Sequence, residues 1–153
     1  MIYFYFDTSG LAKRYINEIG SAWVKHICSF ATGNVVFVSE ITSVEITSAI
    51  TRRSRSGTLN IADAAAALDR FEADLLNEYI SLEATSACFA EARSLVKKYG
   101  LRGYDAVQLA VALSLNLSQV QTGLPVVTFV SADNELLDAA KSEGLTVENP
   151  HNY

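Results

Sequence analysis

The amino-acid sequence predicts an α/β fold: a mostly parallel sheet with helices on both of its faces. Three observations carry that expectation. Short apolar runs rich in β-branched and aromatic residues alternate with helical periodicities along the whole chain, the pattern of repeated strand-helix units. The first run, Ile2-Tyr3-Phe4-Tyr5-Phe6, is apolar at every position rather than at alternate ones, as a strand buried on both faces requires. Finally, 153 residues, half of them hydrophobic, suffice for one domain, residues 1–153, with a substantial core.

Taken in order, Asp7-Thr8-Ser9 follows the first strand and can cap a helix. That helix runs from Gly10 to about Phe30, with Leu11, Tyr15, Ile19, Trp23 and Ile27 at i, i+4 spacing. Gly20-Ser21 interrupts it, so the segment reads as one kinked helix or two short ones. Val35-Val36-Phe37-Val38 is a second strand. Thr42 to about Arg55 is helical, opening on Thr42-Ser43-Val44-Glu45, which matches a capping box, and stopping at Gly57. Thr58 or Asn60 caps the Ala- and Leu-rich helix Ile61–Asn77, and Ile80-Ser81-Leu82 is a weak third strand. Ser86–Tyr99 forms a helix ended by Gly100, and Leu101-Arg102-Gly103 leads into the apolar helix Tyr104–Leu115. Pro125–Val130 is the clearest late strand, Asn134–Glu143 a helix closed by Gly144, and Leu145-Thr146-Val147 a final strand.

Composition narrows the function. Seventeen acidic against twelve basic residues give a net charge of −5, which argues against coating nucleic acid through counterion release. A nucleic-acid substrate would require a metal ion, a local basic patch or a basic partner. Cys28 and Cys88 have no CxxC spacing, which excludes a cysteine zinc site and a disulfide scaffold and fits a reducing, cytoplasmic compartment. The stretch Ile2–Phe6 lacks a basic segment before it and stops at Asp7, so it is neither signal peptide nor membrane span.

In parallel sheets, sites lie beyond the carboxyl ends of the strands. Asp7, Glu45 and Asp133 each stand just after a predicted strand or in the first turn of the following helix, and Asp105 opens the apolar helix. Each has a plainer reading: Asp7 and Asp133 as helix caps, Glu45 as the last member of the capping box. Asp105 resists it, because nearly all its neighbours in Gly103-Tyr104-Asp105-Ala106-Val107-Gln108-Leu109-Ala110 are apolar. Carboxylates about 4 Å apart repel by roughly 4 kcal/mol per pair at an effective dielectric near 20, so a cluster needs protons or a cation. Oxygen-only donors suit Mg²⁺ or Mn²⁺ rather than zinc.

Together, Phe6-Asp7-Thr8-Ser9-Gly10-Leu11-Ala12-Lys13, Ser43-Val44-Glu45-Ile46, Leu101–Ala110 and Phe129-Val130-Ser131-Ala132-Asp133 resemble the PIN-domain proteins of the VapC toxin type, in the family's order and over nearly the whole chain. The resemblance implies a three-layer α/β/α sandwich and a Mg²⁺- or Mn²⁺-dependent endoribonuclease, the toxin of a toxin–antitoxin pair. It also implies a small antitoxin with a basic arm, and a homodimer. Carried over by position, Asp7, Glu45, Asp105 and Asp133 form the acidic quartet. Thr8 or Ser9 supports the first acid, and Ser131 stands where relatives often have threonine. Two positions depart from the pattern: Gln108 occurs where relatives often carry histidine, and Asn17-Glu18-Ile19-Gly20 lacks a proline common in the first helical region.

The expected chemistry has Asp7, Asp105 and Asp133 holding one or two metal ions, Glu45 completing the shell, and a metal-activated water attacking the scissile phosphate in line. Arg52, Arg53 and Arg55 are the densest basic group available to RNA phosphates, with Lys13 and Arg14 as comparable candidates. The alternative for each is a solvated helix face. Tyr104 is a candidate base or partner contact, whereas the aromatics of the first strand read as core. His26 and His151 lie outside the motifs, which disfavours a histidine-pair ribonuclease. The Ala62–Leu68 stripe reads either as a dimer face or as core packing.

Three other readings compete. A phosphoacceptor signalling domain would want a lysine ending a late strand, where Ser131-Ala132-Asp133 has none. A haloacid-type phosphatase would want an acid two residues after the first, where Ser9 stands. A catalytically idle module whose acids dock a basic peptide remains open.

Overall fold

A computed structural model describes residues 1–153. Five strands form one parallel sheet: β1 (Tyr3–Phe6), β2 (Val35–Ser39), β3 (Tyr79–Leu82), β4 (Val127–Val130) and β5 (Thr146–Glu148), in the order β3-β2-β1-β4-β5. The chain winds outward from β1 through β2 to β3, then returns to lay β4 against the other side of β1. The direction of winding therefore reverses at β1 and β4, and a crevice opens there at the carboxyl edge.

The central strand shows why its apolar run is unbroken. Tyr5, Phe37, Val127 and Phe129 point into one core, against the helices α5 (Ser86–Tyr99), α6 (Gly103–Gln121) and α7 (Asn134–Ser142). Phe4, Phe6, Val36, Val38 and Val130 point into the other, against α2 (Ser21–Ile27), α3 (Glu40–Arg55) and α4 (Ile61–Asn77). Successive side chains on a strand face opposite ways, so burial on both faces demands an apolar residue at each step. The layers are α/β/α. Tyr5 stacks on Phe129 across the β1–β4 pair, with ring centroids 5.7 Å apart.

Several boundaries differ from expectation. The helix expected over Gly10–Phe30 is instead α1 (Thr8–Leu11), a 3-10 turn at Ala12–Arg14, and α2. Gly20 takes a left-handed φ of 86° beneath Pro150, where a Cβ would lie 2.3 Å from a carbonyl oxygen, and Ile19 is exposed. Helix α3 starts at Glu40, before the expected Thr42, because Ser39 caps it by accepting from Ile41 N–H at 3.3 Å. Pro125 and Val126 precede β4 and are exposed, and α6 continues past Leu115 to Gln121. In the Ala62–Leu68 stripe, Ala64 and Ala67 pack into the core, while Ala62, Ala65 and Ala66 are exposed. Both cysteines are free and buried, and no helix is long and apolar enough to cross a membrane.

A polar cluster pins α4 and β3 to the first segment. Tyr15 donates to Asp74 at 2.7 Å and is hydrogen-bonded to Tyr79; Arg14 bonds Glu78 and the Tyr79 hydroxyl, each at 2.6 Å. Every buried side-chain polar atom has a partner.

The close approach of α1 to the end of β4 makes one glycine indispensable. A Cβ on Gly10 would sit 2.8 Å from the Val130 carbonyl oxygen and 3.3 Å from Asp7 Oδ1, and neither backbone nor cap can yield. Gly10→Ala is expected to destabilise the protein by about 1–3 kcal/mol. Gly103, in the first turn of α6 with nothing within 4 Å of its Cβ position, gives the opposite sign: Gly103→Ala should stabilise by up to about 1 kcal/mol. Paired chemical-denaturation curves check both.

Candidate active site

The carboxyl end of β1 delivers Asp7 into the crevice. Its amide donates to the Val130 carbonyl at 3.1 Å, which sets it beside the end of β4. Its carboxylate caps α1 by accepting from Gly10 N–H at 2.8 Å. Ser9 Oγ lies 2.9 Å from both carboxylate oxygens and Ser131 Oγ donates to Oδ2 at 2.7 Å. The capping role is thus real, and the same carboxylate faces the other acids. Burial and, to a smaller extent, the charge of Asp105 together push the Asp7 pKa up to about 7 against the pull of these three donors.

Asp105 lies in the first turn of α6, half-buried and without a hydrogen bond from the chain. Burial raises its pKa, then the charges of Asp133 and Glu45, while Arg102 opposes them. Asp133 caps α7, accepting from Leu136 N–H through Oδ1 at 3.2 Å. The four acids therefore sit in one electrostatic neighbourhood, although no three acidic, histidine or cysteine side chains form a closed ligand set.

Glu45 reaches this neighbourhood from the second turn of α3. No capping box forms, since the helix begins at Glu40. Thr42 Oγ1 instead accepts from Gln108 Nε2 at 2.9 Å, and Glu45 Oε1 accepts from Thr8 Oγ1 at 2.8 Å and Gln108 Nε2 at 3.1 Å. Thr8 thus supports Glu45, and Ser9 and Ser131 support Asp7. Gln108 is fully enclosed, and its Oε1 accepts from the Tyr5 hydroxyl at 2.7 Å. Burial, and then the charge of Asp7, raise the Tyr5 pKa well above its usual value, so it stays a phenol donor. That fixes the amide with its NH₂ toward the carboxylate.

Tyr5 and Gln108 are the residues that sequence reasoning missed as parts of the site. Tyr5 looked like one more core aromatic, and only the amide inside an apolar helix signalled a buried polar partner.

The basic candidates separate. Arg52 lines a groove of about 550 Å³ with Thr8, Glu45 and the exposed Tyr104. Arg53 pairs with Glu18 at 3.5 Å, and Arg55 lies along a different groove, between α3 and α4. Lys13 is buried, 2.9 Å from His151 Nε2 and 3.6 Å from Glu18, and Arg14 is held in the Tyr15 cluster. Neither is free for a substrate phosphate. His26 is exposed on α2.

The buried Asp7 makes stability depend on pH. Its folded pKa, about 7, lies above the ordinary carboxyl value of 3.8, so its contribution is intact at pH below about 4 and falls as pH rises through about 7. Asp7→Asn should therefore raise the melting temperature of metal-free protein by about 5 °C or more at pH 8 and have little effect at pH 4. Thermal melts in chelator at the two pH values check this.

Comparison with known proteins agrees with this architecture. The PIN domain family model matches residues 4–142. Ribonuclease VapC35 of Mycobacterium tuberculosis is 29% identical over 146 residues, 95% of this chain and 96% of the relative. Among solved structures, VapBC2 from Rickettsia felis bound to a DNA fragment from their promoter aligns with a TM-score of 0.62 at 19% identity, covering 97% of this chain and 98% of that one. FitAcB from Neisseria gonorrhoeae gives 0.60 at 21% identity with 100% of both chains covered, and PAE2754 from Pyrobaculum aerophilum 0.61 at 20%, covering 99% and 85%. At those identities the structures speak for the fold, while the family model spans all four acids, and the chain belongs to the PIN domain family.

Proposed function

We propose that this protein is a metal-dependent endoribonuclease and the toxin of a toxin–antitoxin pair, with Asp7, Glu45, Asp105 and Asp133 as its catalytic acids. The observation that carries the reading is the convergence of four carboxylates from four separate chain segments on one crevice, two of them with raised pKa values. The relative named as a ribonuclease, matched almost end to end, supports the same activity, and the VapBC and FitAcB structures support an antitoxin partner.

The donor chemistry fits a hard divalent cation. All four groups are oxygen donors, and the repulsion that Asp105 meets from the charges of Asp133 and Glu45 is what a cation would relieve. Asp7, Asp105 and Asp133 would hold Mg²⁺ or Mn²⁺, directly or through water, since the acids are not drawn into a closed set. When bound, such an ion supplies polarisation of the scissile phosphate and a lowered pKa for the attacking water.

The chain's own residues orient the rest. Ser9, Gly10 and Ser131 hold Asp7 in one rotamer, so its position does not depend on what it binds. Thr8 and Gln108 occupy Glu45 Oε1 and leave Oε2 without a protein partner, available to accept a proton from the attacking water. Arg52 contributes positive charge along the Thr8–Glu45 groove for a phosphate of the substrate. The antitoxin's basic arm would compete for the same carboxylates.

The test is cleavage of a mixed pool of transfer and ribosomal RNA by chelator-stripped protein with Mg²⁺ or Mn²⁺ restored, followed by mapping of new RNA ends. Discrete metal-dependent cuts are expected, reduced about 100-fold or more in Asp105→Asn. Intact RNA across the pool with metal-loaded protein would move the reading to an idle module that docks a basic peptide.

A further inference from the structure

Resting on the ribonuclease reading, we propose that the groove between α5 and the start of α6 is a binding subsite for single-stranded RNA, which seats an unstacked base beside the acids and fixes its flanking phosphates. The groove encloses about 730 Å³ and ends at Glu45 and Asp105. It shares Glu45 and Tyr104 with the Arg52 groove, so the two meet at the acidic crevice and together make one track across it.

Its lining suits that occupant. Phe89 and Tyr104 stand on opposite helices, 44% and 64% exposed, over a floor that includes Ala92 and Val96. Large aromatics left in solvent at the mouth of an apolar trough offer faces on which bases stack irrespective of sequence. Arg93 and Arg102 also line the groove, and neither forms an ion pair or a hydrogen bond with an acidic side chain of the chain. In a protein of net charge −5, two unpaired arginines beside two carboxylates mark where a polyanion can approach without meeting only negative charge. A basic peptide arm could satisfy the two carboxylates but would leave both arginines without a partner, which favours RNA over protein along this groove. A duplex hides its base faces, which favours a single strand.

Binding is measured on the whole chain, by fluorescence anisotropy of a fluorescein-labelled single-stranded RNA of mixed sequence in EDTA, so that no cleavage intervenes. Phe89→Ala is expected to weaken binding about 10-fold, with affinity recovered in Phe89→Tyr. The double variant Arg93→Ala/Arg102→Ala should lower the slope of log affinity against log salt by about 1.4, the value for two phosphate contacts on a single strand. Lys25→Ala, on the exposed side of α2, should bind as wild type. Unchanged melting curves establish that the variants are folded.

Equal affinity of the Phe89 and arginine variants and the wild type would overturn the proposal. So would duplex RNA binding with the same sensitivity to them, or an arginine-rich peptide whose binding, unlike that of RNA, is lost in Phe89→Ala. Failure of the wild type to bind single-stranded RNA at all would overturn it too. The two readings separate: variant-sensitive binding with no cleavage in Mg²⁺ or Mn²⁺ sinks the nuclease and keeps the subsite. Cleavage with variant-insensitive binding does the reverse.

Discussion

A carboxylate buried at the tip of the central strand is the constraint around which the molecule is arranged. Asp7 is 3% exposed, and a charge so placed is costly unless donors surround it. The chain answers with a backbone amide from Gly10 and hydroxyls from Ser9 and Ser131, two from the segment that follows and one from the neighbouring strand. These donors dictate sequence well beyond Asp7. Residue 10 must lack a Cβ so that the helix can start against the Val130 carbonyl, and residue 131 must be small and hydroxylated where β4 ends.

The donors around the acids are almost all neutral. Serine and threonine hydroxyls, two backbone amides and the Gln108 side chain orient the carboxylates without cancelling their charge, so the repulsion among them persists. The one cation whose charge bears on Asp105, Arg102, lies at the rim. The chain deploys its other inner cations elsewhere: Arg14 is committed to Asp74, Glu78 and Tyr79, and Lys13 to Glu18 and His151. Orientation by dipoles and sequestration of cations produce the same result, a pocket whose negative potential is left for a ligand to satisfy.

Much of this was legible in the residues. The unbroken run Ile2–Phe6 announced a strand buried on both faces, and the alternation of elements announced the parallel sheet. Asp7 and Asp133 were visible because they follow strands and Asp105 because it opens an apolar helix, and topology turns those local facts into one neighbourhood. What escaped the sequence depended on three-dimensional neighbours. Ile19 fits a helical stripe, yet Gly20 turns left-handed and packs against Pro150 where no Cβ would fit, a contact with a residue 130 positions away. Thr42-Ser43-Val44-Glu45 satisfies a capping pattern that Ser39 preempts from the end of β2. Lys13 reads as a surface cation until Glu18 and His151 enclose it. Local pattern ranks the options, and tertiary contact chooses among them.

The hydrogen bond from Ser131 to Asp7 joins residues 124 positions apart, and β4 pairs with β1 at the same point. Closing so long a loop carries an entropic cost that only the completed β1–β4 interface offsets. During synthesis, therefore, β1, β2 and β3 can associate while the crevice still lacks its Asp133 wall and the Ser131 hydroxyl. A chain cut short before β4 would lack both the Ser131 hydroxyl and Asp133, and so would have no assembled acidic pocket. The order of elements makes the pocket a late event in folding and couples its existence to translation past β4 and Asp133.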